Sequence, residues 1–319
     1  MENLENDKQS SIALILPYFG KLPDFFKIWL ESCKANPTIT WIVFTDDKNA
    51  KSSCENVKII QTTFDEIRSR AQACFDFPIC LNHPYKLCDF KPVYGLMFAD
   101  YLKNFDFWGY CDCDLVWGNF RKFITESILQ KHDRILANGH LSLFKNNAEV
   151  NNFFKNADYK RAFTSELPFA FDEWGGTAGT WNTMRRERFF IGRENRFFDD
   201  INQAKWHFCA NLKPNRKNCC YVWHAGTLKS VFDNGNEETL YAHFQKRKMN
   251  LAISVPAETG AKNGFVFVPN KVLEYDKRFE TDKLFRKKYC RERLIYWDYI
   301  FRRCGNAKKK LKRFFKQFI

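Results

Sequence analysis

At 319 residues, 45% hydrophobic and 17% aromatic, the chain is long enough to bury a large core in one or two α/β domains; this excludes a disordered chain and disfavours a small binding module. The formal net charge is +14, but the stretch from Lys283 to Ile319 holds 14 Lys/Arg against two acids (Glu292, Asp298), so the body ahead of it is nearly neutral. No apolar run approaches the ~18–20 residues that span a bilayer, and Met1–Ser10 has no signal-peptide core; the 12 cysteines are therefore expected to be reduced thiols of a cytoplasmic protein.

In chain order, Ser11–Pro17 is an apolar strand that ends in Tyr18-Phe19-Gly20, and Pro23–Ala35 has helical periodicity. Ile39–Phe44 is a second buried strand with Asp46 and Asp47 at its exit, and Val57–Ile60 a third. Helical patterns over Phe64–Cys74 and Pro92–Leu102 lead to a strand at Trp108–Cys111. Strands alternating with helices predict a mostly parallel sheet with right-handed crossovers. Beyond it, Phe120–Leu129 is helix-like, Arg134–Leu136 and Leu141–Phe144 flank Asn138-Gly139-His140, and Ala148–Phe154 is helical again. Pro168–Thr180 holds a Gly-rich cluster. Tyr221–Ala225, Leu228–Phe232 and Thr239–Phe244 read as strands, with an Asn234-Gly235 hairpin signal between the last two. No internal repeat or low-complexity linker interrupts the chain. The expected organisation is one domain over residues 1–270, with halves at about 11–118 and 119–270, and a basic helical extension over 271–319.

The densest chemistry lies in Phe107-Trp-Gly-Tyr-Cys-Asp-Cys-Asp-Leu-Val-Trp-Gly118. Asp112 and Asp114 stand at i and i+2 at the end of an apolar strand, so both carboxylates share one face and can converge on a hard cation such as Mn²⁺ or Mg²⁺. Cys111 and Cys113 point the other way, and neither this pair nor Cys219-Cys220 has the spacing of a zinc site. Open α/β sheets bind ligands beyond the carboxyl ends of their strands, which is where this pair falls. A polar turn that happens to hold two acids is the plainer alternative.

A late imidazole, His243 in Tyr241-Ala-His-Phe-Gln-Lys-Arg-Lys-Met249, could complete that shell, with Lys246 or Lys248 meeting a phosphate on the same ion. An edge-strand histidine beside exposed lysines is the alternative. In Lys308–Ile319, Leu311, Phe314, Phe315, Phe318 and Ile319 recur at helical spacing among cations, the pattern of a helix lying on an anionic membrane surface. A basic helix packed on its own domain, or a nucleic-acid tail, would show similar charge.

Lys86-Leu-Cys-Asp-Phe-Lys-Pro92, the helix through Leu102 and the strand ending in Asp112-x-Asp114 form one motif; His243-Phe244 followed by Lys246 and Lys248 forms a second. Together they resemble GT-A-type glycosyltransferases, the nucleotide-diphospho-sugar transferase fold, and among these the bacterial lipopolysaccharide and capsule type. The second motif is similar to the His-Phe-x-Gly-x-x-Lys segment of glycogenin-like and galactosyltransferase enzymes. It departs from it with Lys246 at the Gly position and Met249 at the Lys position.

The resemblance spans about Ile12 to Met249 and implies a Rossmann-like, mostly parallel GT-A sheet flanked by helices, with a nucleotide-binding half before an acceptor half. It implies Asp112, Asp114 and His243 as ligands of Mn²⁺ or Mg²⁺, a nucleotide-sugar donor (a UDP-sugar by expectation), and a glycan or lipid-linked acceptor. Tyr18 and Asp46 (or Asp47) would then face base and ribose, and Asp89 and Lys91 the donor. Asp112 would meet the donor through the ion, and Lys246 a phosphate. Asp172 and Glu173 offer a general base for an inverting reaction, and His140, Trp174, Trp181 and Trp223 are candidates for the sugar pocket. Strand-end capping by Tyr18 and Asp46, a surface pair between Asp89 and Lys91, and core packing by the tryptophans are the competing structural roles. The expected location is the inner face of the cell membrane.

Two other classes compete. A metal-dependent phosphohydrolase or nucleotidyltransferase would use paired acids but needs a further acidic cluster, for which Asp199-Asp200 is the available pair. A nucleic-acid-binding protein would use the C-terminal cations, yet the body carries no recognition module, so a nucleic-acid partner is not expected.

Overall fold

Ile12–Leu16 is apolar and buried at every position, the mark of a central strand covered on both faces. The computed structural model describes residues 9–156, 159–167, 171, 189–190, 197–253, 264–292, 297 and 299–305. The chain divides into two compact units, Met1–Leu115 with Asn119–Phe197, and Val116–Gly118 with Phe198–Ile319.

In the first unit, β1 (Ile12–Tyr18), β2 (Ile39–Thr45), β3 (Val57–Gln61) and β4 (Phe107–Cys111) run parallel in the order β3-β2-β1-β4. Helix α1 (Phe26–Lys34) crosses from β1 to β2 and α2 (Phe64–Gln72) follows β3. The start of α2 is fixed by a capping box: Glu66 N–H donates to Thr63 Oγ1, and Thr63 N–H donates to the Glu66 carboxylate. The helix expected over Pro92–Leu102 is broken into short turns at Lys91–Val93, Tyr94–Met97 and Ala99–Leu102. The second break falls at Phe98, whose backbone leaves the helical region at φ −117° and ψ 24°, and inside the middle turn Gly95 lies so close to the Trp108 indole that a Cβ there would meet the ring. Phe120–Leu129 likewise forms two helices, Phe120–Phe123 and Glu126–Lys131.

After β4 the chain enters β5 (Leu115–Trp117), which belongs to another sheet, and returns as a hairpin, β6 (Arg134–Asn138) and β7 (Leu141–Lys145). Strand β7 pairs antiparallel with β4, and β8 (Phe189–Phe190) closes the seven-stranded order β3-β2-β1-β4-β7-β6-β8. The parallel, Rossmann-like α/β pattern expected from the sequence thus covers β1 to β4, and the tight Asn138-Gly139 reversal makes the next strands antiparallel. Its core is aromatic: Phe44 stacks on Phe98 at 4.4 Å and Trp108 on Phe144 at 4.5 Å between ring centroids.

The second unit holds β9 (Asp199–Asp200), β10 (Cys220–His224), β11 (Thr227–Phe232), β12 (Gly235–Glu238), β13 (Tyr241–His243), β14 (Asn250–Leu251), β15 (Phe265–Val268) and β16 (Lys271–Glu274). They form a six-stranded sheet, β12-β11-β10-β15-β16-β14, and a three-stranded one, β5-β13-β9. Two expectations are corrected. The Asn234-Gly235 turn leads from β11 into the polar Gly235–Glu238 strand, and Tyr241–His243 joins a different sheet. Lys271, the expected start of a separate extension, opens β16, and α3 (Lys283–Cys290) follows with Phe279 and Cys290 buried against Cys220 and Val266. Buried Arg286 on α3 donates to the carbonyls of Phe279 at 2.8 Å and Phe232 at 3.0 Å, which fastens the helix to this unit.

Gly109, between β1 and β7, leaves no room for a side chain: a Cβ there would collide with the Ser142 carbonyl oxygen and the Leu143 and Leu14 side chains. Gly109→Ala is therefore expected to cost about 2–3 kcal/mol, read from urea midpoints. Gly305→Ala, where no atom lies within 4 Å, should leave the midpoint unchanged.

Candidate functional site

In the first unit, the residues that gather around the Asp-x-Asp turn do so because β4 and β7 are paired to their ends. Cys111 stands opposite Leu141, so Asp112 N–H donates to the His140 carbonyl at 3.2 Å. A register shift in β6 between Ile135 and Asn138, with Leu136 at φ 63°, turns Asn138-Gly139-His140 toward the same end. Buried Ser142 supports this reversal: its hydroxyl accepts from Tyr110 Oη at 3.1 Å and reaches the carbonyls of Leu136 and Asn138.

Lys91 is the cation of this region. Its Nζ donates to Asp112 Oδ1 at 2.9 Å and to the Gly139 carbonyl, and lies 5.2 Å from the Tyr110 ring centroid. Asp89, expected beside it as a surface pair or a donor contact, is elsewhere. It is 1% exposed, accepting from Lys86 Nζ at 2.7 Å on Oδ2 and from Phe171 N–H at 2.8 Å on Oδ1. Lys86, equally buried, also donates to the carbonyls of Ala162 and Leu167. Both carboxylate oxygens are engaged inside the core, so Asp89 ties down Phe171 directly and, through Lys86, Ala162 and Leu167.

Tyr18 closes β1. Burial pushes its phenol above the ordinary tyrosine value, with negative charge at Cys113 and Asp114 adding to the shift, so it stays a protonated donor at neutral pH. Asp46 accepts from Gly20 N–H at 2.7 Å, where Gly20 takes φ 92°, and Asp47 accepts from Leu22 N–H at 2.9 Å. The Leu22 and then the Asn49 backbone bonds hold the Asp47 carboxyl below its usual range. Both acids thus shape the loop after β1. Burial, then the charge of Asp112, keeps the Cys111 thiol well above its ordinary value.

In the second unit, β9 and β13 are parallel, with Asp200 opposite His243. His243 Nδ1 lies 2.8 Å from Asp200 Oδ1, which also accepts from Gln245 Nε2, while Asn211 Nδ2 donates to Asp200 Oδ2 at 2.7 Å. After His243 the chain turns through two left-handed residues, Gln245 at φ 50° and Lys246 at φ 59°. Lys246 and Lys248 are exposed, and Arg302 donates to the Lys246 carbonyl at 2.8 Å. Asp199, 0% exposed, is held by Arg216 at 2.6 Å and Lys213 at 2.8 Å. Trp223 is buried, donates to the Trp117 carbonyl and stacks on Phe265, a core role. Asp172, Glu173, Trp174 and Trp181 lie outside the described residues.

Asp112, Asp114 and His140 in the first unit, and Asp200 and His243 in the second, are among the acidic and imidazole groups able to hold a metal ion. Two contacts that shape this chemistry escape sequence reading, although Lys91 and Asp200 themselves are marked in the sequence. The Lys91 contact to Asp112 and the Asp200 contact to His243 both cross between strands or helices, where spacing gives no signal.

The profile of a family of unknown function, DUF6625, matches residues 14–276. No curated protein matches the chain. Among solved structures, the chain is similar to the glycosyltransferase GlyE of Streptococcus pneumoniae TIGR4, at 11% identity and TM-score 0.34, over 59% of this chain and 47% of that one. It is also similar to the apo form of GlyE, at 12% and 0.35 over 58% and 46%. A third is the galactosyltransferase LgtC with donor and acceptor sugar analogues, at 9% and 0.35 over 59% and 75%. The chain spans about half the length of the GlyE chains it matches. Likeness this distant fixes no activity.

The Lys86–Asp89 pair makes a stability test of the first unit. Lys86→Met leaves a buried carboxylate without its cation and is expected to cost about 3–5 kcal/mol, whereas Lys86→Met with Asp89→Leu should cost less than the single change. Urea midpoints of the two variants decide it.

Proposed function

We propose that this chain, which belongs to the DUF6625 family, is a metal-dependent glycosyltransferase of the GT-A type that moves a sugar from a nucleotide donor to a glycan or lipid-linked acceptor. The observation that carries the reading is the Asp-x-Asp turn at the carboxyl end of β4, in a parallel sheet, with Lys91 holding one carboxylate in place. Asp114 runs directly into β5, and β5 shares a sheet with β13, which ends at His243. The assignment of Asp112, Asp114 and His243 to one ion rests on the resemblance of the two sequence motifs to the GT-A pattern.

The donor set fits a hard divalent cation: two carboxylates and one neutral imidazole leave positions for diphosphate oxygens, with Mn²⁺ or Mg²⁺ the expected metal. When bound, such an ion neutralises charge that builds on a leaving diphosphate. Around it, Lys91 fixes the angle of Asp112, and Tyr18, a protonated phenol beside Asp114, is placed to donate to or stack on the nucleotide. Exposed Lys246 is assigned to phosphate. Asp46 acts through the Gly20 loop, and Asp89 through the segment it braces. Asp172 or Glu173 would take the acceptor proton in an inverting reaction, the donor being a UDP-sugar by expectation. The biological setting we assign is bacterial surface polysaccharide synthesis.

The C-terminal helix supports a place at an anionic membrane surface. Trp297 is 62% and Phe301 71% exposed, one turn apart, beside Arg302 and Arg303. No helix among the described residues is long and apolar enough to cross a membrane. Lys308–Ile319 lies outside the described residues and continues the same basic, Phe-rich pattern.

Asp112→Asn, Asp114→Asn and His243→Ala are each expected to lower Mn²⁺-stimulated hydrolysis or transfer of a sugar nucleotide by about 10²–10³-fold, measured over a panel of nucleotide sugars. Full activity in all three would remove the assignment. Deleting Lys308–Ile319 should abolish co-sedimentation with phosphatidylglycerol vesicles while turnover with a soluble acceptor holds. Unchanged sedimentation, even with Trp297 and Phe301 also replaced by Ala, would show that this helix is not a membrane anchor.

A further inference from the structure

His243 is the end residue of a three-residue strand, and its side chain is gripped from one side. The ring nitrogen Nδ1 lies 2.8 Å from Asp200 Oδ1. A carboxylate offers no proton, so at this distance Nδ1 is the donor, and a neutral ring then carries its lone pair on Nε2. Asp200 is itself fixed: Gln245 Nε2 shares Oδ1, Asn211 Nδ2 donates to Oδ2 at 2.7 Å, and Asn211 N–H donates to the Asp200 carbonyl at 2.8 Å. Asn211 is held in turn by Asn202 Nδ2 at 3.1 Å. The neighbouring Asp199, pointing to the opposite face of β9, is locked by Arg216 and Lys213, so the strand cannot rotate to release Asp200.

We propose that Asp200 is a positioning residue, supported by Asn211 and Gln245, that holds His243 in its Nδ1–H form and so makes Nε2 the atom offered to a metal. In this role Asp200 acts on the ion through His243, with Oδ1 taking His243 and Gln245 and Oδ2 taking Asn211. The role is the carboxylate–histidine relay that orients metal-binding imidazoles. It also explains the left-handed turn at Gln245, which brings the Gln245 amide back over Asp200. The inference rests on the metal role of His243 given above.

The test separates the two ideas by measuring the ring before the metal. In metal-free protein labelled with ¹⁵N-histidine, at a pH where the ring is neutral, long-range ¹H–¹⁵N spectra should show His243 as the Nδ1–H tautomer. Asp200→Ala should shift it to a mixture or to Nε2–H, and Asp200→Glu should restore part of the Nδ1–H population. Mn²⁺ affinity, read by the electron paramagnetic resonance of free Mn²⁺, should fall about 10–100-fold in Asp200→Ala and as far in His243→Ala. If Asp200→Ala does not fold, Asn211→Ala with Gln245→Leu serves instead and should loosen the same tautomer. An unchanged tautomer overturns the positioning role. So does an Mn²⁺ affinity lowered by His243→Ala and untouched by Asp200→Ala. If the tautomer follows Asp200 while neither change alters Mn²⁺ affinity, the metal role of His243 fails and the relay through which Asp200 was to act on it fails too.

Discussion

The acidic end of β4 depends on one ammonium group. Asp112 and Asp114 lie in the turn between β4 and β5 and not within a strand, and two carboxylates this close in the chain repel unless a cation stands near. Lys91 supplies that cation from the segment before β4: its Nζ meets Asp112 Oδ1, the Gly139 carbonyl and the face of Tyr110. Three separate pieces of chain, the Lys91–Val93 turn, the end of β4 and the β6–β7 reversal, are joined at that one atom. Burial first, and then the charge at Cys113 and Asp114, raises the Tyr18 phenol at the end of β1, so the same turn also reaches that strand end electrostatically.

Two other buried carboxylates are also met by cations. Asp89 inside the first unit answers Lys86 and a backbone N–H, and Asp199 inside the second answers Arg216 and Lys213. Such pairs add little net stability, because desolvation offsets their attraction, but their geometry is strict. Their consequence is register: Asp89 fixes the position of the Phe171 backbone, and Asp199 fixes which face of β9 presents Asp200. Asp200 thus sits one residue from a buried ion pair, and Lys91 two residues from another.

Local pattern made a good part of this readable from sequence. The apolar runs of β1, β2 and β4 and the position of Asp112 and Asp114 at a strand end follow from side-chain alternation and burial, which act within a few residues. The sequence also places His243 in a strand, Thr239–Phe244, which the structure shortens to Tyr241–His243. What it does not show is partner choice. Lys86, Asp89 and Lys91 occupy six consecutive positions, and nothing local decides that Asp89 turns inward to Lys86 while Lys91 reaches Asp112. Asp200 was visible only as half of an acidic dipeptide, since its meeting with His243 depends on a parallel pairing across some forty residues of chain. The polar Gly235–Glu238 strand and the strand at Lys271 were missed for a related reason. Edge and partner strands are specified by the strand they add to more than by their own composition.

The turn after His243 shows a conflict between backbone and side chain that the motif comparison alone leaves unexplained. Lys246 stands where the resembled motif has glycine, and its φ of 59° is one that glycine adopts without strain and lysine does not. Left-handed geometry costs a non-glycine residue about 1–2 kcal/mol, and Gln245 beside it carries the same burden. The cost is offset locally, because Gln245 reaches Asp200 and Arg302 takes the Lys246 carbonyl. The backbone thus follows the shape glycine would give while a cation occupies the position. An exposed ammonium group thus stands on a turn fixed from both sides, and the strain of holding it there is what sets this turn apart from an ordinary glycine bend.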